Sequence, residues 1–171
     1  NKNFNIIKNK VIDETQENIW SRYASRTENN NDGSPLKDEY SIKYPYKIIE
    51  KIKENKNIYK YTDKLHKYHQ KIKILYPSLG EKIIIDKTGE LFPGTSFVLF
   101  VICENIKECL FINLLLKSDL YNFLKKTKII TGRSPMDYLL KNLKKNYNFN
   151  LKNNPTDQDI YDYYGITKEE Q

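Results

Sequence analysis

The longest uninterrupted apolar run in the chain is the seven residues 97–103 (FVLFVIC), and it limits what the chain can build. Seven residues suit one β-strand and fall well short of the roughly 18 to 20 that cross a bilayer as a helix. Apolar side chains on both faces mark a strand covered on both sides, so residues 94–103 are expected to be central in a sheet. The other apolar residues come in short, spaced groups, so the rest of the core has to come from amphipathic elements. With 39% hydrophobic and 13% aromatic residues in 171, there is material for one domain and its extensions.

Local patterns divide the chain further. Residues 1–18 are polar and weakly patterned and are expected to be an extension that orders on binding. Residues 19–26 (IWSRYASR) read as a strand and 29–35 as a loop. From 40 to 76 the pattern is helical, with a break at 55–57. Leu65, Tyr68, His69, Ile72, Leu75 and Tyr76 form one stripe of period 3.6, and Pro77 stops it. Residues 81–86 read as a strand, 87–90 as a turn, 105–117 as a buried helix, 119–124 as a further helical turn or two, and 125–131 as a last strand. Ser134-Pro135 and Asn154-Pro155 open two more helices, the second stopping at Gly165.

The net charge is +7, and 26 of the 29 basic residues are lysine, the exceptions being Arg22, Arg26 and Arg133. Ala24 is the single alanine, while Lys, Asn, Ile and Tyr abound. That usage points to an AT-rich, apicomplexan- or ciliate-like genome, so part of the lysine excess is mutational. The charge is uneven: residues 41–90 carry 12 basic and 6 acidic groups, a net +6, against +2 for 91–130, 0 for 131–171 and −1 for 1–40. Lys43, Lys47, Lys51, Lys53, Lys56, Lys60, Lys64, Lys67, Lys71 and Lys73 are interleaved with tyrosines. Such a basic helix is suited to a phosphate backbone or an acidic protein surface. Tyr161 and Tyr164, near the C-terminal end of the sequence, are candidates for docking on a partner.

The run from His69 to Glu108 resembles the YCII-related family of dimeric α+β-barrel proteins. The features that carry it are His69 on a first helix, Gly80, the strand at 81–86, Gly89, Gly94-Thr95 opening the apolar strand, and Glu104 before the next helix. Residues 118–121 stand where the family has an Asp-Pro-aromatic element. The resemblance implies a ferredoxin-like α+β fold over 19–131, with a helical insertion near 40–62, peripheral helices at 132–171, and the possibility of a homodimer. It also implies a His–Asp pair, His69 with Asp119 or Asp86, acting as general base and orienting acid. The arginine-proline before the histidine and the proline of the Asp-Pro element are replaced here, so the pattern is better kept in the sheet than in the cleft.

His66 points about 100° away from His69 on an ideal helix and is expected at the surface. Cys103 and Cys109 read as reduced structural thiols. No motif calls for a metal or cofactor, and none is expected. Three function classes remain open. The first is a non-catalytic structural subunit of a large mitochondrial assembly, a matrix ribosome component contacting rRNA or neighbouring proteins. The second is a soluble subunit of a respiratory complex or ATP synthase, and the third a small YCII-type enzyme.

Overall fold

A computed structural model describes residues 2–13, 36–66, 68–91, 93, 98–127, 135–146 and 149–171. The fold is α+β, with small antiparallel sheets and several helices. The chain divides into two compact units. The terminal unit combines Asn1–Ser21 with Asn105–Gln171, and the middle unit is Arg22–Glu104. These bounds differ from the expected 1–18, 19–131 and 132–171.

In the middle unit, β1 (Tyr46–Lys51) and β2 (Ile58–Thr62) form an antiparallel hairpin with a bulge between Ile49 and Lys51. A second sheet has the order β4-β3-β5, with β3 (Lys73–Pro77) paired antiparallel to β4 (Ile84–Asp86) and to β5 (Val98–Ile102). Ile49, Ile52, Leu75, Val98 and Phe100 make its core.

The expected helix over 40–76 is not there: the described residues of this segment form strands and turns. Ile74, Leu75 and Tyr76 are all fully buried, which a strand between two neighbours achieves and a one-sided helical stripe does not. Leu75 lies between Ile84 and Phe100, and Ile74 between Ile85 and Val101. β-Branched Ile72 and Ile74 favour this outcome. Consequently β3 is the central strand among the described residues, and β5, expected in that place, pairs only with β3. The expected strand at 81–86 is reduced to its last three residues. Residues 19–26 and 94–97 lie outside the described residues.

The terminal unit is helical: α1 (Lys2–Val11), α2 (Ile106–Leu115), α3 (Asp119–Lys126), α4 (Pro135–Asn142) and α5 (Asp157–Tyr164). Local capping explains the starts. The Asn105 side chain accepts from the Glu108 N–H, Ser118 Oγ accepts from the Tyr121 N–H, and Thr156 forms a capping box with Asp159. Gly165, at φ +61°, closes α5 in the left-handed conformation.

Two expectations change here. Residues 2–11 are a helix whose Ile7 and Val11 are buried, and the following Ile12 bridges to Leu143, so this segment is core material. Lys125 and Lys126 belong to α3 and not to a strand; residues 128–131 lie outside the described residues. No helix among the described residues is long and apolar enough to cross a membrane.

Candidate functional site

The described members of the predicted basic set in the middle unit lie on the β1–β2 hairpin, on the turns near it and, for Lys73, in β3, and they separate into three groups. Lys43, Lys47, Lys51, Lys53, Lys56, Lys64 and Lys71 are exposed. Lys60 is half-buried and ion-paired with Asp38, which holds its ammonium above the ordinary lysine range, first through their hydrogen bond. Lys73 is buried in the sheet and is withdrawn from the contact set. Lys67 lies outside the described residues.

The turn joining β1 to β2 is tied to Lys82. Ile52 is buried beneath it, and the Lys82 ammonium donates to the carbonyls of Lys53 (2.7 Å) and Glu54 (3.0 Å). Lys51, Lys53 and Lys56 therefore stand in solvent on a fixed backbone. Farther along the hairpin, Lys47 lies 4.2 Å from the centre of the Tyr59 ring, and before β1 Lys37 and Lys43 flank the Tyr44 ring at 5.5 and 5.9 Å. Tyr40, 62% exposed, packs edge-on against Tyr61. Cations and tyrosine rings thus alternate along this segment.

Lys73 serves a different purpose. Its ammonium donates to Asp86 Oδ2 and to the Gly89 carbonyl, both at 3.0 Å. Asp86 also accepts from the N–H groups of Gly89 (2.9 Å) and Leu91 (2.8 Å) and from the Thr88 hydroxyl (3.2 Å). This buried pair fastens the turn after β4 to the start of β3. The Asp-x-Thr-Gly run at 86–89 signals the turn in sequence; nothing local identifies Lys73 as its partner.

His66 is not at the surface where it was expected. His66 is buried, edge-on to Phe100 at 5.8 Å, and its Nδ1 accepts from the Tyr68 N–H. His69 sits in a turn, half-buried, with its ring 6.2 Å from that of Tyr46. Its Nδ1 is buried and has no hydrogen-bond partner among the described residues. Asp119 belongs to the terminal unit and His69 to the middle unit. Among the described residues no three metal-ligating side chains converge. Cys103 and Cys109 are buried, and neither is in a disulfide among the described residues.

In the terminal unit, Tyr164 is buried, and burial first, then Tyr163, raises its phenol well above the ordinary range. Together with Tyr163, Phe111 and Phe149 it forms an aromatic core, so it offers no docking surface. Half-buried Tyr161 and exposed Asp119 line a cavity of about 170 Å³ together with Ile7, Leu120, Phe123, Ile166 and Gln171. Glu170 lines the same cavity and is bound by Lys10, whose ammonium also reaches the Gly165 carbonyl. The cavity was not legible in the sequence, because it depends on α1 packing near residues more than 100 positions away.

The capping carboxylate of α5 is pH-sensitive. The Lys152 ammonium holds Asp159 below its ordinary value of 3.8; burial opposes this, and the Thr156 N–H and hydroxyl assist. A depressed folded-state pKa contributes stability above the unfolded value and loses it as pH falls through the folded value. Acid titration of thermal stability should therefore show a loss below the ordinary carboxylate range, and Asp159→Asn should remove part of that dependence.

No family model, curated protein or solved structure matches the chain.

Proposed function

We propose that this chain is a non-catalytic subunit of a large ribonucleoprotein assembly, and that the β1–β2 hairpin of its middle unit meets RNA. The observation that carries the reading is the hairpin turn, tied by Lys82, that leaves Lys51, Lys53 and Lys56 in solvent, with lysine-flanked tyrosine rings farther along the same segment. Exposed ammonium groups neutralise phosphates, and nearby aromatic faces accept unstacked bases without demanding a sequence. Backbone restraint lowers the ordering cost of such a contact.

Within this class our reading is a component of the mitochondrial ribosome in the matrix. It is supported by the basic middle unit and by a described chain with no membrane-crossing helix. The YCII-related resemblance and its ferredoxin-like fold enter only as a proposed ancestry. The small antiparallel sheet is compatible with that ancestry, and the lack of a helix before β3 among the described residues counts against it.

Sedimentation of the native protein through a gradient at low and high salt tests the assembly. Co-migration with rRNA that weakens as salt rises is expected; migration as a free monomer or dimer at both salts overturns the reading. For the hairpin, Lys51→Gln, Lys53→Gln and Lys56→Gln combined should weaken single-stranded RNA binding about tenfold near 0.1 M salt and flatten its salt dependence. Neutralising Lys117 and Lys125 of the terminal unit should change little. Equal losses from both sets would remove the hairpin from the contact.

A further inference from the structure

The β1–β2 turn has little bonding in its own backbone. The ladder ends where Lys51 pairs with Ile58, so residues 52–57 connect the two strands. These residues form no backbone–backbone hydrogen bond among the described residues. Ile52 is anchored at one end by burial, and at the other the Asn57 amide donates to the Tyr59 hydroxyl at 3.4 Å. Between those ends, the polar ties among the described residues come from Lys82 alone. Its ammonium donates to the Lys53 carbonyl at 2.7 Å and to the Glu54 carbonyl at 3.0 Å.

A connection without internal bonds samples many conformations, and ordering it on a ligand is unfavourable. Lys53 and Lys56 sit on this connection and are exposed, whereas Lys51 ends β1 and is held by the ladder. Fixing two consecutive carbonyls restrains the segment between Ile52 and Asn57 before RNA arrives. Lys82 itself lies 29 positions from Lys53, beyond the basic run at 43–73. Two of its ammonium donors are engaged by the turn.

We infer that Lys82 is the positioning residue of the RNA contact. It acts through Lys53 and Lys56 by holding their backbone, and it meets no phosphate itself. The inference rests on the RNA reading of the hairpin and adds a point of control to it. Loss of one ammonium outside the contact set weakens binding while every contacting cation remains.

The test titrates the full chain with a fluorescently labelled oligouridylate from about 0.05 to 0.2 M salt. Lys82→Met keeps the apolar stem and removes both bonds. It should weaken binding about threefold and leave the slope of log K against log salt at its wild-type value, because the same phosphates are neutralised. Removing a lysine that touches phosphate would instead flatten the slope by about 0.7. Amide order parameters at 53–56 should fall below about 0.6 in Lys82→Met, with the melting temperature near wild type. Lys82→Arg keeps the charge and the donors and should restore both binding and order. In a chain carrying Lys53→Gln and Lys56→Gln, Lys82→Met should cause no further loss, since it acts through those two side chains. A flattened slope, an additive loss in that background, or a turn that stays rigid in Lys82→Met would each overturn the proposal. Wild-type affinity in Lys82→Met, with binding still weakened by the Lys53 and Lys56 changes, removes the positioning role and leaves the RNA reading intact. No binding by the wild-type chain overturns both.

Discussion

Replacing Gly89 with alanine is expected to destabilise the middle unit by more than about 3 kcal/mol. Gly89 adopts φ +77°, and a Cβ there would lie 2.5 Å from the Gln70 Cα and 2.6 Å from the Lys71 nitrogen. Both are backbone atoms, which cannot turn aside as a flexible side chain does. Moving the turn away is equally unfavourable. The Gly89 N–H donates to Asp86, and its carbonyl accepts from the Gln70 N–H and the Lys73 ammonium. Gly165 is the internal comparison: it too has positive φ, but nothing lies within 4 Å of its Cβ position. Gly165→Ala should therefore cost only about 1 kcal/mol, the left-handed backbone penalty. Urea unfolding of both variants checks the contrast, and equal small losses would show that the Gln70–Gly89 approach relaxes easily.

Replacing Asp86 with alanine is the second large effect, about 3 to 5 kcal/mol. The Lys73 ammonium is fully buried, and without Asp86 it keeps only the Gly89 carbonyl among the acceptors described above. The N–H groups of Gly89 and Leu91 lose their acceptor at the same time. Lys73→Met should cost less, because it keeps the apolar stem and leaves Asp86 with two backbone N–H donors and the Thr88 hydroxyl. The expected order of stability is wild type, then Lys73→Met, then Asp86→Ala. A reversal would mean that desolvation of the carboxylate, not of the ammonium, dominates the pair.

These two variants probe the region where the sequence was hardest to read. Leu65, Tyr68, His69, Ile72, Leu75 and Tyr76 keep helical spacing, yet they span a turn and a strand. The spacing carries no information about partners. The decisive contacts are Ile74 with Ile85 and Val101, Leu75 with Ile84 and Phe100, and Lys73 with Asp86, and all of them join distant positions. The same limitation misplaced His66, since the face of a helix is no guide to burial where no helix forms. It also placed Lys73 among surface lysines, because a lysine in a basic run looks like its neighbours until its aspartate is located.

The helices of the terminal unit after residue 104 were legible because their signals are local, whereas α1 was read as an extension. Asn105, Ser118 and Thr156 cap within three residues of themselves, and Gly165 ends α5 by its own backbone freedom. Their apolar stripes need only one buried side each.

The apolar run that limits the chain behaved in both ways. Its sequence alone determined that residues 98–102 would be a buried strand, since five consecutive large apolar side chains have no solvated face. Only the tertiary structure decided that this strand flanks the centre of its sheet while β3 occupies it. It also decided which lysines face solvent and how Asp119 and Tyr161 come to share one cavity. Strand order, charge pairing and cavities depend on which distant residues meet, and periodicity along the chain does not encode that.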